Sequence, residues 1–418
     1  MNHFDYKDGE LFAENISLRT IADQVGTPCY VYSRSAIEQQ WHSLNDAFGQ
    51  HPHTICYAVK ANSNLAVLNI LSRLGSGFDI VSEGELRRVI LAGGDTSKVV
   101  YSGVAKSQKE LEFAIKAKVR SINIESIAEL ERVQEVANEL KMTAPISVRV
   151  NPDVDPQTHP YISTGMEEAK FGIDMESAFE TYQAADNMEN IHISGIACHI
   201  GSQITSASPF KDSVDRVLGL VNRLSQAGVN IEHLDLGGGL GIDYQGETPP
   251  TAQEYVSTLL DCLNQHEVDL PISIEPGRYI VGNAGVLVTK VEYLKSNSKK
   301  NFAIVDAGMN DLLRPSLYQA FHQIDTVQDN DSAHESKKYD VVGPVCESAD
   351  VLGYDRELSV EADDLLAVRS AGAYSFVMAS NYNSRPKPVE VMVDGDEMHI
   401  IRRRETMEEL TQAEAILP

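Results

Sequence analysis

Cysteine, basic charge and long apolar runs are all scarce in this chain. The five cysteines, Cys29, Cys56, Cys198, Cys262 and Cys346, are scattered with no CxxC pair. A chain of 418 residues can build its core without disulfide staples, so a reducing cytoplasm fits best. Only 35 bases stand against 61 acids, a formal charge of −26, which argues against a general affinity for nucleic acid or anionic membrane and reads as a solvated acidic surface. No apolar run approaches the roughly 20 residues that span a bilayer. The opening Met1-Asn2-His3-Phe4-Asp5-Tyr6 lacks a basic region followed by an apolar one, so the expectation is a soluble protein that is not exported. There is no repeat and no low-complexity tract, and no metal site is expected.

With 42% hydrophobic and 23% charged residues the composition is that of a folded protein, and the length exceeds one ordinary core, so two domains are expected. From residue 36 to 278, short β-rich runs alternate with amphipathic stretches. The runs 54–59, 78–81, 98–101, 121–124, 146–150, 193–199, 231–236 and 271–275 read as strands. The stretches 36–48, 64–74, 83–92, 107–117, 126–140, 174–185, 208–227 and 251–266 read as helices. Eight of each point to an α/β fold of the TIM (β/α)8 type, with a doubly wound open sheet as the structural alternative, because alternation does not prove closure. After residue 280 the texture becomes β-rich, at 285–294, 302–306, 339–345, 364–369 and 388–402. Residues 1–35 and 279–418 are therefore expected to form a second, mainly β domain of barrel or sandwich type. The polar stretch 324–338 reads as a solvated insertion or flexible loop, and Arg402-Arg403-Arg404 as a solvated face beside an acidic C-terminal helix.

Chemistry in such barrels gathers where strands end. The first expected strand ends in Tyr57-Ala58-Val59-Lys60-Ala61-Asn62, the sixth in Cys198-His199-Ile200-Gly201-Ser202-Gln203, the seventh in Leu236-Gly237-Gly238-Gly239 and the eighth in Glu275-Pro276-Gly277-Arg278. Lys60 alone reads most simply as a solvated lysine, and it becomes a Schiff-base candidate through the company it keeps. Gly237, Gly238 and Gly239 offer backbone N–H groups that can wrap a phosphate, although a glycine run is often only a tight turn. If these residues hold pyridoxal phosphate, Glu275 is suited to keep the pyridine nitrogen protonated, and His199 to stack on the ring rather than serve as a core histidine. Further on, Arg314 and Tyr318 stand four apart and share one face of a helical turn, a good carboxylate clamp. Cys346-Glu347 places a thiol beside a carboxylate; a buried small side chain and a surface acid are the plainer reading.

The strings YAVKAN, CHIGSQ, LDLGGGLG and EPGR, in that order, resemble the fold-type III pyridoxal-phosphate decarboxylases, the group with an alanine-racemase-like barrel. The strings around Arg314 and Cys346, with HPYISTG at 159–165, KFGI at 170–173, AGAYSF and SNYNSRP, narrow the likeness to the diaminopimelate decarboxylase family, from about residue 27 to 400. The resemblance implies that Lys60 forms the Schiff base and that His199 packs on the ring. It places Ser202, Gly239, Gly277 and Arg278 around phosphate and substrate carboxylate, with Glu275 at the pyridine nitrogen. Arg278, Arg314 and Tyr318 would hold substrate carboxylate, Glu347 the distal amino group, and Tyr374 cofactor and substrate. Cys346 would act as proton donor in the active site of the partner subunit of a homodimer. The implied reaction is decarboxylation of meso-2,6-diaminopimelate to L-lysine, the last step of lysine synthesis. Ser348-Ala349 after Cys346-Glu347, and Tyr279 after EPGR, depart from the family pattern without touching an assigned position. Decarboxylases of ornithine, arginine or lysine, a racemase, and a non-catalytic cofactor-binding barrel are the alternatives.

Overall fold

The computed structural model describes residues 3–156, 164, 170–329 and 335–418. The chain divides into two compact units, one of Gln40–Asp243 with Glu247–Tyr279, the other of Met1–Gln39, Tyr244–Gly246 and Ile280–Pro418.

The first unit is a closed parallel barrel. Its strands are His53–Ala58, Gly77–Ile80, Val99–Tyr101, Ser121–Ile124, Ala144–Asn151, Ile191–Cys198, His233–Asp235 and Ile272–Ile274. Each pairs in parallel with the next, and Ile272–Ile274 returns to pair with His53–Ala58, which excludes the open doubly wound sheet. Because helices cover the outside and side chains fill the inside, these strands are continuous apolar runs. Gly77–Ile80, Val99–Tyr101 and Ser121–Ile124 are buried at every residue. The helices between them start where a short polar side chain catches an otherwise unbonded N–H. Ser82, Ser107, Ser126 and Thr251 each accept from the third helical residue, and Ser107–Glu110 and Thr251–Glu254 form reciprocal capping boxes.

One buried cation braces the barrel mouth. Lys106 donates to the carbonyls of Gly103 at 2.6 Å and Asn123 at 2.8 Å and to Glu129 at 2.7 Å, so all three ammonium protons are matched out of water. An ammonium buried without those acceptors would cost several kcal/mol. The acid it holds also accepts the Glu125 N–H at 2.7 Å, which fixes the chain just after the fourth barrel strand.

The second unit is mainly β. Its principal sheet runs Val351–Leu358, Lys337–Val342, Asn301–Val305, Gly285–Ser296, Cys29–Ser33, Val389–Asp394, Glu397–Arg402. Leu365–Val368 also pairs with Gly285–Ser296 and carries Ile324–Thr326 on its other side. The long strand serves two sets of neighbours by segment: 285–290 pair with Cys29–Ser33 and Leu365–Val368, and 291–296 with Asn301–Val305, where the register shifts between Val291 and Tyr293. Cys29–Ser33 is buried throughout and lies in mid-sheet, a strand that the alternation pattern had not marked. Its core companions include Leu11, Leu18, Val286, Val288, Val389 and Val391.

Two expectations need correction. The stretch 324–338 is not wholly a loop: Ile324–Thr326 is a strand, and another begins at Lys337, while 330–334 lie outside the described residues. Nor is the triple arginine simply solvated. Arg404 donates to the carbonyls of Gly26 at 3.1 Å and Pro28 at 2.9 Å, Arg402 lies over the Phe376 ring, and Arg403 pairs with Glu409. Arginine's five donors let one side chain tie down several carbonyls, so a short basic run often belongs to the packing.

Candidate active site

Lys60 sits in a single turn, Val59–Ala61, directly after the first barrel strand. Its Nζ donates to Asp79 Oδ2 at 2.5 Å, and that carboxylate is fully buried at the end of the second strand. Lys60, Asn123, Arg149, Thr164, His199 and Glu275 are among the residues lining a cavity of about 330 Å3 at the barrel mouth. Three of the residues singled out from sequence thus share one cavity. A larger cavity, near 1000 Å3, lies on the flank around Asp153, Met175 and Arg223 and holds none of them.

His199 projects after the sixth strand. Its Nδ1 accepts the Gly238 N–H at 3.2 Å, which leaves the ring proton on Nε2. Burial first, then the charges of Arg149 and Lys60, hold its pKa well below the usual histidine value, so the ring is neutral. Asp235 Oδ1 accepts the Gly237 N–H at 3.1 Å, and the Gly237 carbonyl accepts the Glu275 N–H at 2.7 Å. The glycine turn is pinned between the sixth and eighth strands. A Cβ at 238 would overlap the Glu275 carbonyl, and one at 239, where φ is +112°, would lie 2.6 Å from the Gly201 carbonyl. Only glycine tolerates both the closeness and the left-handed φ. Arg278 is buried and donates to Ser202 Oγ at 3.0 Å.

Glu275 shares its surroundings with two other acids. Burial, then Asp235 and Asp79, push its pKa well above the ordinary carboxyl value against the pull of Lys60 and Arg149. Burial also raises Asp235, to about 6. Glu275 Oε1 is buried without a hydrogen-bond partner among the described residues.

These features fit pyridoxal phosphate. A lysine amine opens on the cavity, a neutral imidazole offers a flat face, and a buried carboxyl lacks a partner that a protonated pyridine nitrogen would supply. The turn at 237–239, with Ser202, Gly277 and Arg278, has the close backbone and the positive charge that would suit a phosphate.

Sequence reading missed Asp79, Arg149 and Glu125. Arg149 lies 2.9 Å from Glu125, which also accepts the Gly172 N–H at 2.7 Å. Two of them had a signal: Asp79 in FDIV and Arg149 in ISVRV are charges inside apolar strands, and a buried charge demands a partner or a purpose.

The other predicted residues belong to the second unit. Arg314–Tyr318 is a single helical turn, with the Arg314 guanidinium 5.9 Å from the centre of the Tyr318 ring. Cys346 and Glu347 are exposed; the Cys346 N–H donates to Asn383 Oδ1 at 3.0 Å, and Glu347 Oε2 accepts from the Tyr382 hydroxyl at 2.9 Å. Asp350, four residues on, is buried and accepts the N–H groups of Met309 and Val345, both at 2.6 Å, a structural part. Tyr374 is half-buried with φ +55°, a left-handed backbone that non-glycine residues seldom adopt outside constrained sites. Of HPYISTG, only Thr164 is described, and it donates to the His199 carbonyl at 3.0 Å.

Residues 34–282 match the family model of the pyridoxal-dependent decarboxylases, pyridoxal binding domain. The chain belongs to that family. Its pyridoxal-phosphate chemistry and its barrel follow, and the likeness reaches further than the barrel. The chain is 54% identical to a diaminopimelate decarboxylase of Vibrio cholerae, with all of both chains covered. It is 55% identical to that of Pseudomonas aeruginosa, again with all of both chains covered. The crystal structure of the Helicobacter pylori diaminopimelate decarboxylase complexed with L-lysine superposes with a TM-score of 0.91 at 40% identity, covering 94% of this chain and 98% of that one. The chain is therefore a member of the diaminopimelate decarboxylases.

Proposed function

We propose that this enzyme decarboxylates meso-2,6-diaminopimelate at its D-configured centre, giving L-lysine and CO2 with pyridoxal 5'-phosphate as cofactor. One observation carries the reading: the likeness to the diaminopimelate decarboxylases runs the full length of the chain, so the second unit is matched as fully as the cofactor barrel. Within the described residues no helix is long and apolar enough to cross a membrane. A cytoplasmic homodimer is the setting we infer.

When bound, pyridoxal phosphate supplies an electron sink for the pair left behind as CO2 departs. The chain's own residues do the rest. Lys60 would hold the cofactor through its amine, and the buried Asp79 beside it would steady that side chain whenever it stands free as an ammonium. Glu275, whose carboxyl is held toward its protonated form by burial and its acidic neighbours, would sit at the pyridine nitrogen and share a proton with it. His199, neutral through burial, packs its face on the ring without adding a rival cation. Ser202, Gly237, Gly238, Gly239, Gly277 and Arg278 hold the phosphate. Arg278, Arg314 and Tyr318 take substrate carboxylate, Glu347 the distal amine, and Tyr374 touches cofactor and substrate. Cys346, from the second subunit, delivers the proton to Cα.

The test is CO2 release from meso-diaminopimelate, LL-diaminopimelate, L-ornithine, L-arginine and L-lysine by the cofactor-loaded protein. Release from the meso isomer alone, with L-lysine as product, is expected. Release only from a basic amino acid would keep fold and cofactor and overturn the substrate.

A further inference from the structure

In the second unit a buried histidine faces the guanidinium that our substrate reading uses. Arg314 opens its short helical turn, which stops at Gln319 in a left-handed conformation, and the chain doubles back to bring His322 beside it. Arg314 Nε donates to His322 Nε2 at 3.3 Å. The other ring nitrogen, Nδ1, lies 2.8 Å from the Arg369 carbonyl oxygen. A carbonyl can only accept, so Nδ1 carries the proton. The Nε–H of arginine can only donate, so Nε2 presents its lone pair. The two contacts together specify one neutral tautomer. The carbonyl that selects it is itself anchored, since the Arg369 side chain pairs with Asp325 at 2.7 Å and donates to the Phe4 carbonyl at 2.8 Å. His322 is fully buried and Arg314 nearly so. The Tyr244 ring lies 5.2 Å from the guanidinium and edge-on to the imidazole at 5.4 Å.

We propose that His322 is the positioning residue for Arg314 and so a determinant of selection for a ligand with a distal carboxylate. The inference rests on the reading of Arg314 as a carboxylate clamp. By taking the Nε–H, the imidazole fixes the plane of the guanidinium, whose bidentate grip depends on that plane. Because this acceptor is uncharged, the hydrogen bond orients the cation and itself adds no opposing charge to the guanidinium. An acid in the same place would supply the hydrogen bond and neutralise the clamp. Sequence gives no warning of this residue, which sits unremarked in AFHQID.

L-lysine retains the distal carboxylate of the substrate, and 1,5-diaminopentane is the same molecule without it, so their relative affinity for the holoenzyme isolates the clamp. In His322→Phe the preference for L-lysine falls by about tenfold or more, the scale of a lost hydrogen bond to a charged group. The KM for meso-diaminopimelate rises while kcat holds, as when binding is lost equally from ground and transition states. His322→Gln, whose amide oxygen can accept in place of Nε2, keeps most of the preference. His322→Glu keeps the hydrogen bond and loses the preference, and the Gln and Glu pair carries the test alone if Phe unsettles the fold. A wild-type preference in His322→Phe, or equal losses in Gln and Phe, overturns the role of His322. Arg314→Leu serves as the reference: if it too leaves the preference unchanged, the clamp reading falls first, and if it alone abolishes it, only the positioning role is lost.

Discussion

At the barrel mouth Asp79, Arg149, Asp235 and Glu275 are all buried, whereas in the second unit Cys346, Glu347 and Tyr382 stand in water. The same residue types therefore work under different rules. Out of water each charge must be matched, protonation states shift, and a missing partner such as the one Glu275 Oε1 lacks marks a place for a ligand. In water the hydroxyl of Tyr382 on Glu347 is a weak contact, and a cysteine has no special environment until something covers it. Burial sets the protonation states in one region; in the other the residues stand exposed, and the homodimer that would cover them is part of the proposed function.

The largest effect should come from the buried side. Lys60→Ala removes the amine proposed to hold the cofactor, and turnover is expected to drop by about a thousandfold or more, together with the visible absorption of the bound cofactor. A variant that kept both would end the assignment. Next in size is a pH-dependent stability. Asp235 has a folded-state pKa raised by burial to about 6, so its favourable contribution is complete below the unfolded carboxyl value near 3.8 and is lost as pH rises through about 6. Asp235→Asn keeps an acceptor for the Gly237 N–H and removes that loss. The cofactor-free variant should gain on the order of 2 kcal/mol over wild type at pH 8 and almost nothing at pH 4, read by denaturant unfolding. A gain of equal size at both pH values would mean that Asp235 is not the titrating group.

The barrel was legible because helices and strands differ in period and because glycine-rich strand ends stand out from their surroundings. The crowding at 238 and 239 against the Glu275 and Gly201 carbonyls explains why glycine stands there, while the reading of the turn as a phosphate cradle belongs to the proposed function. The second unit was less legible. Cys29–Ser33 takes its mid-sheet place from Gly285–Ser296 and Val389–Asp394, partners from the far end of the chain that no local pattern announces. Asp79 and Arg149 went unread for a different reason: they look like single charges in strands until the fold shows Lys60 and Glu125 opposite them.

The smallest expected effect tests the exposed side directly. Tyr382→Phe deletes the hydroxyl that donates to Glu347 Oε2 at 2.9 Å and leaves the ring in place. If the contact works as an exposed surface pair, the KM for meso-diaminopimelate should change by no more than about fivefold, with kcat unaltered. A subunit interface that dries this loop would strengthen the same hydrogen bond, because the acceptor is a carboxylate and water no longer competes for it. A much larger rise in KM, present at protein concentrations that favour dimers and absent under dilution, would move Tyr382 and Glu347 from the exposed class into the buried one. The contrast between the two regions would then describe the isolated chain only, and the working enzyme would have two desolvated sites instead of one.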